Sequence, residues 1–394
     1  MVRTFIPELN PAISKMRCLR CDAQLPVADY LEGCPDCLAN GTPSSVAPIY
    51  DYFPKTVQLD KITDWLVYTN TPNLGQGDTP LVALEAMADE LGVAKLWLKN
   101  EAANPTGSHK DRMSAVAVSR AIDIGAKTIV AASSGNAGSS LAAFAATVGL
   151  KCVVVTTPDM NPNWRRAVEF YDAELVATSK SSDRWALVEK NVKLGDWYPV
   201  TNFSMPVVGS NLFGVDGYRS IAFELYAQLE GKQATDVIVP TSRGDLVWGI
   251  AKGFTDLKQA GLLEITPKIH VVEPFPRIVE VLKGEDYRAS FVGDADNPLL
   301  SIGGDTVTYQ ALDALKLCSG SAVAIDGQQV LDDQKRLGRA GFYVESSSAA
   351  PLTALRSLLQ DDIIKPNASV VLLATSHGYK EFETFPNSIK IVVP

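Results

Sequence analysis

From about Leu81 onward, short apolar runs rich in β-branched residues alternate with stretches of helical periodicity. Residues 127–133, 152–157, 236–240, 269–272, 322–325 and 369–374 read as strands. Residues 136–149, 164–171, 246–259, 328–339 and 350–359 carry the 3.6-residue apolar spacing of helices. Strands that are apolar throughout, and not on alternate positions, predict sheets covered on both faces. With helices between them, such sheets are parallel. The fold class expected is therefore α/β. Residues 40–48, rich in Gly, Ser and Pro, read as a linker.

Composition narrows the function. At about 150 residues per domain, 394 residues predict two to three domains. Hydrophobic residues make up 46% and charged residues 21%, which excludes a disordered or collagen-like chain. Lys plus Arg is 36 and Asp plus Glu is 45, so the net charge is 36 − 45 = −9. A surplus of negative charge opposes phosphate backbones, so no nucleic-acid partner is expected. No apolar run reaches 18 residues and the first fifteen carry no secretory pattern, so no membrane partner is expected and the cytoplasm is the expected compartment.

Four of the six cysteines, Cys18, Cys21, Cys34 and Cys37, fall within twenty residues as two Cys-x2-Cys knuckles. That spacing turns the thiolates of each knuckle toward one tetrahedral ion, and four protein sulfurs close the site. A structural Zn2+ is the reading preferred over iron, over a metal-free knuckle, and over disulfides in a reducing compartment. No coordination position is left open for catalysis.

Three further segments concentrate chemistry. In the first, Asn104-Pro-Thr-Gly-Ser-His-Lys110, a turn leads into a helix and sets Lys110 at its N-terminus. The helix dipole there opposes an ammonium and favours a neutral, nucleophilic amine of the kind that forms Schiff bases. The second, Ser133-Ser134-Gly135-Asn136-Ala137, joins a strand to a helix and presents hydroxyls and amides to an anion. The third, Thr241-Ser242-Arg243-Gly244-Asp245, is placed the same way. No Gly-x-Gly-x-x-Gly follows a strand, so a dinucleotide site has no support.

In this order, and together with Gly-Asp-Thr-Pro-Leu at 77–81, Leu-Lys-Asn-Glu at 98–101, Asp-Gly-Tyr-Arg-Ser-Ile-Ala-Phe-Glu at 216–224 and Thr-Ser-His-Gly-Tyr-Lys at 375–380, the chain resembles the fold type II pyridoxal-phosphate enzymes. This is the tryptophan synthase β-family, and threonine synthases are its nearest resemblance. The resemblance implies two open, mostly parallel sheet domains behind a zinc-ribbon-like segment at 14–40. The large domain would combine 49–113 with 208–394, and the small one would span 114–207. It further implies pyridoxal 5'-phosphate carried on Lys110, which would then move the substrate's α-proton. Asn136 would meet the cofactor's ring oxygen, and the loop from Ser133 to Ala137 would hold the substrate carboxylate. Thr241 to Asp245 would cradle the cofactor phosphate, with His109 and Arg243 assisting. Thr375 would meet the pyridine nitrogen, where a hydroxyl favours elimination over transamination. A small amino-acid substrate and a homodimer are implied as well.

Departures from the pattern bear on the reaction. Threonine synthases place Asn-Ser and an Arg where this chain, aligned without gaps, has Val208-Gly209 and Gly214. A phosphate without its bidentate arginine loses a strong contact. Arg219 and Arg165 are the cations that could replace it. Ala137 resembles the loop of some serine dehydratases. The expectation is a lyase that eliminates or replaces a β-substituent of a small amino acid. Threonine synthase proper, and a catalytically silent metabolite-binding protein of the same fold, are the alternatives.

Overall fold

The computed structural model describes residues 5–293 and 296–381. The chain opens with β1 (Glu8–Leu9), β2 (Ile13–Cys18), β3 (Gln24–Leu25), the short helix α1 (Pro35–Ala39), β4 (Val46–Tyr50) and β5 (Tyr68–Asn70). β3, β2 and β4 form an antiparallel sheet around the cysteines, and β1 pairs with β5. The segment 40–48 is not a free linker. Ser44 and Ser45 are buried, and Val46 to Pro48 belong to β4, where they pair with Cys18 to Met16. Small polar residues in the sequence conceal this, because the hydroxyls of Ser44 and Ser45 each donate to the carbonyl of the next residue.

Next come β6 (Leu81–Ala83), α2 (Glu85–Leu91), β7 (Lys95–Asn100) and α3 (Lys110–Asp123). A four-stranded parallel sheet follows, built from β8 (Thr128–Ala132), β9 (Lys151–Thr156), β10 (Glu174–Ala177) and β11 (Tyr198–Pro199) in the order β10-β9-β8-β11. The helices among these strands are α4 (Asn136–Val148), α5 (Pro162–Phe170) and α6 (Asp183–Lys193). Small residues line α4, so it packs closely on α3. At Gly138 an added Cβ would lie 2.8 Å from Val154 Cγ1 of β9.

The rest of the described chain runs through α7 (Leu212–Asp216), α8 (Ser220–Gln228), β12 (Asp236–Pro240), α9 (Asp245–Gln259), β13 (Lys268–Glu273), α10 (Ile278–Lys283), α11 (Tyr309–Leu317), β14 (Ala322–Ala324), α12 (Gly327–Arg339), α13 (Ser346–Gln360) and β15 (Ser369–Ala374). Its strands join β6 and β7 in a six-stranded sheet ordered β14-β13-β12-β15-β7-β6. All neighbours there are parallel except β6 with β7. β12, flanked by β13 and β15, is buried at every position, as its unbroken apolar run requires. In each sheet the loops that carry chemistry leave the carboxyl ends of strands: 133–135 after β8, 241–244 after β12 and 375–380 after β15.

Candidate active site

The site rests on a buried charge network. Arg112, two residues into α3, donates from Nε to Glu101 Oε2 at 2.7 Å and from Nη2 to Glu224 Oε2 at 2.8 Å. Lys99 Nζ donates to Glu224 Oε2 at 2.6 Å, and Thr79 Oγ1 to Glu101 Oε1 at 2.6 Å. These groups are almost wholly excluded from water, and two positive charges balance two negative ones. Removing one partner would leave a buried charge at a cost of about 3–5 kcal/mol. The network joins four of the sequence motifs (77–81, 98–101, 110–112 and 216–224) into one platform. Arg219 belongs to a second buried cluster, with Asp216 and Asp256.

On that platform Lys110 begins α3, and its Nζ lies 3.2 Å from the hydroxyl of Tyr218. Burial pulls the Lys110 ammonium below its ordinary pKa; nearby Asp245 opposes the shift and Arg243 adds to it. Burial pushes the Tyr218 phenol well above its usual range, so it stays protonated. His109 Nδ1 lies 3.2 Å from Thr375 O, and the His109 amide donates to the same carbonyl at 3.0 Å. The Thr375 hydroxyl is paired with Ser348 Oγ at 2.9 Å. Asp111 accepts from the Thr106 amide at 2.7 Å and from Ser140 Oγ of α4 at 2.6 Å.

In the loop 133–137, Ser133 Oγ accepts from the amides of Gly135 and Gly138 at 3.2 and 3.1 Å, which fixes the start of α4. Ser134 Oγ lies 3.0 Å from Thr156 Oγ1 and accepts from Arg184 Nη1 at 3.0 Å. Asn136 is held at both ends of its amide. Its Oδ1 accepts from Lys380 Nζ at 2.7 Å and Trp164 Nε1 at 3.2 Å, and its Nδ2 donates to Glu345 Oε1 at 2.9 Å. Ala137 is half-buried against the core.

The loop 241–245 ends at the N-terminus of α9. Gly244 has φ +120°, and a Cβ there would lie 2.6 Å from the Ala311 amide nitrogen, so the loop follows a path that only glycine allows. Thr241 is buried and Ser242 half-buried. Arg243 does not pair with Asp245. It donates from Nε to Thr306 Oγ1 at 2.9 Å and lies 5.2 Å from the centre of the Trp185 ring. Asp245 instead accepts from the amide and hydroxyl of Ser210 at 3.1 and 2.6 Å.

These residues fit a pyridoxal phosphate. Lys110 offers an amine, and the N-terminus of α9 offers amides to an anion. Arg243 forms no ion pair within 4.0 Å among the described residues. Ser108 Oγ, buried two residues before Lys110, has no hydrogen-bond partner among the described residues. Tyr218, Arg184, Glu345 and Lys380 contact the predicted site residues although sequence reasoning gave them no role there. Tyr218 and Lys380 lie within recognised motifs, which is the signal that was available for them. Arg184 and Glu345 lie outside any.

The four cysteine sulfurs cluster within 4.8 Å of one another, with Cys18 and Cys37 3.6 Å apart and Cys21 and Cys34 3.8 Å apart. Tetrahedral sulfurs at about 2.3 Å from a zinc ion are separated by similar distances, so the cluster fits a metal.

A family model described as "Pyridoxal-phosphate dependent enzyme" matches residues 72–376. The chain is 32% identical over 319 residues to a threonine synthase of Methanocaldococcus jannaschii, covering 78% of this chain and 76% of that one. It is 27% identical over 390 residues to a threonine synthase of Methanosarcina acetivorans, covering 94% and 93%. Among solved structures, diaminopropionate ammonia lyase from Escherichia coli superposes with a TM-score of 0.67 at 18% identity, covering 78% of this chain and 86% of that one. No helix among the described residues is long and apolar enough to cross a membrane. The match over most of the chain, and the threonine synthase relatives beside it, place this protein among the fold type II pyridoxal-phosphate-dependent enzymes, as a threonine synthase-like member.

Proposed function

We propose that the protein is a lyase that eliminates or replaces the β-substituent of a small amino acid, working as a homodimer with a structural zinc in the cysteine cluster. Bound at Lys110, pyridoxal phosphate supplies the electron sink that lets a proton leave the α-carbon. Lys110, whose ammonium burial disfavours, takes that proton in its amine form, with the Tyr218 hydroxyl positioning the amine. The amides and hydroxyls from Ser133 to Ala137 bind the α-carboxylate, and Asn136, its amide fixed by Lys380 and Glu345, meets the cofactor's ring oxygen. Thr241 to Asp245 and His109 hold the cofactor phosphate end, and Thr375 the ring nitrogen. The small domain at 114–207 closes over the substrate and keeps water from the reacting carbons.

The observation that carries this reading is the packing at Gly214. Threonine synthases place an arginine there, but in this chain a Cβ would lie 3.0 Å from Met113 Cγ and 3.2 Å from Met113 O. The two replacements named from the sequence are committed elsewhere. Arg219 is buried between Asp216 and Asp256, and Arg165 is exposed and paired with Glu169. The usual grip on the γ-phosphate of phosphohomoserine is therefore missing, whereas a β-elimination does not need it. The names of the two threonine synthase relatives favour the second reading, threonine synthase proper.

The test is a panel of phosphohomoserine, threonine, serine, phosphoserine and diaminopropionate, scored for ammonia, phosphate and keto acid. A β-substituted amino acid should be turned over, and the visible absorbance of the bound cofactor should vanish in Lys110→Ala. Threonine formation from phosphohomoserine with kcat/KM above roughly 10⁴ M⁻¹s⁻¹ would overturn the β-lyase reading in favour of the second.

A further inference from the structure

Arg184 stands in the first turn of α6, away from every motif that identifies the family. Its Nη1 reaches Ser134 Oγ at 3.0 Å, inside the carboxylate loop, and its Nε and Nη2 hold Ser181. The next residue, Trp185, lies under the Arg243 guanidinium at 5.2 Å. One helical turn thus spans from the substrate loop to the phosphate loop. Among the described residues, neither arginine has a carboxylate within 4.0 Å. Half-buried guanidiniums ordinarily find an anion, because desolvating an unpaired charge is costly. Burial and the neighbouring Arg243 both act against the charge on Arg184, with the attraction of Asp159, beyond 4.0 Å, opposing them, and a bound anion would relieve that strain.

Counting charges narrows the choice of anion. On the reading proposed above, on which this inference rests, the cofactor phosphate takes Arg243 and the N-terminus of α9, and the α-carboxylate takes the uncharged donors of 133–137. Arg184 is then a positive charge left over at the edge of the substrate loop. A substrate with a neutral side chain leaves it without an ion-pair partner. We infer that Arg184 is a specificity-determining residue that receives an anionic group on the substrate's β-carbon, so that the preferred substrates are amino acids with a negatively charged β-substituent such as a phosphate ester. The cation reaches the substrate from α6, and not from the 208–214 segment where the resembled enzymes carry theirs.

The experiment compares O-phospho-L-serine with L-serine as substrates of the holoenzyme, in wild type, Arg184→Gln and Arg184→Lys. Wild type should favour phosphoserine. The ratio of kcat/KM for phosphoserine over serine should fall about tenfold or more in Arg184→Gln, chiefly through KM, and recover in part in Arg184→Lys. Equilibrium binding, read as the change in the visible cofactor band on adding each amino acid, should show the same order even where turnover is slow. An equal loss on both amino acids would assign Arg184 to the α-carboxylate or to loop folding and overturn the inference. So would a wild type that binds cofactor but does not distinguish the two. A protein that fails to bind pyridoxal phosphate would overturn the parent reading as well.

Discussion

At His109 one carbonyl decides the state of the ring. Thr375 O can only accept, so the Nδ1 beside it carries the proton and, in the neutral ring, Nε2 is left as an acceptor. Burial, and then the charge of Lys110, hold the imidazole pKa well below its ordinary 6.5, while the bond to Thr375 opposes the shift. A depressed pKa means that protons bind the unfolded chain more readily. The stability His109 contributes is therefore complete above pH 6.5 and is lost as pH falls toward its folded value. Lowering the pH from 7.5 to 5.5 should reduce the unfolding free energy of wild type, measured in urea, by about 1 kcal/mol more than that of His109→Gln. Parallel losses in the two proteins would show that the ring is not held neutral. The residues around His109 also show what was legible in the sequence. Lys110 and the serine loop were visible because helix starts and strand ends have local signatures. Arg112, Glu101 and Glu224 could be recognised as motif members, but their role as a shared buried network depends on the contacts of Arg112 and Lys99 with Glu224, over a hundred positions away.

Elements were readable where burial is uniform. The strands expected at 236–240 and 369–374 coincide with β12 and β15, because every position but the partly exposed Ser369 is buried. The helix expected at 164–171 begins earlier, at Pro162, where Asn161 caps it through the Asn163 amide at 2.8 Å. The helix expected at 350–359 begins at Ser346, since three buried serines carry no apolar period. The short strands β10 and β11 were missed altogether; four and two residues do not establish a period. The loop before α9 makes the sharper prediction. Gly244→Ala places a methyl against the backbone of Ala311 at a φ of +120°, a strain of about 1–3 kcal/mol. The start of α9 should shift and weaken pyridoxal phosphate binding by about tenfold, measured by titrating the cofactor-free protein, with secondary structure by circular dichroism unchanged. Unaltered affinity would remove this loop from the cofactor site.

Across the whole molecule, the cysteine segment is part of the main body. Cys18, Cys34 and Cys37 are buried in the largest apolar cluster, Arg20 Nη1 donates to the Tyr287 hydroxyl at 3.0 Å, and Arg120 pairs with Asp29 at 2.7 Å. Metal analysis of protein never exposed to chelator should find about one zinc per chain, and less than a tenth of an equivalent would refute the assignment. Cys34→Ser should lower the unfolding free energy by about 2 kcal/mol or more while changing kcat far less, because four sulfurs leave no position for a substrate. The sequence announced the cysteine cluster through spacing alone; how tightly the segment that carries it is docked follows from charges and aromatics too scattered to form a pattern. The sheet arrangement has its own corollary at the start of α3. Asp111 is bonded to α4, which belongs with the four-stranded sheet, and Arg112 is bonded to Glu101 and Glu224 beside the six-stranded one. The amine of Lys110 thus sits where the frames of reference of two halves meet. A pivot of either half against the other re-aims it, even if each half stays rigid, and so the angle between the sheets and the aim of the reactive nitrogen are one degree of freedom.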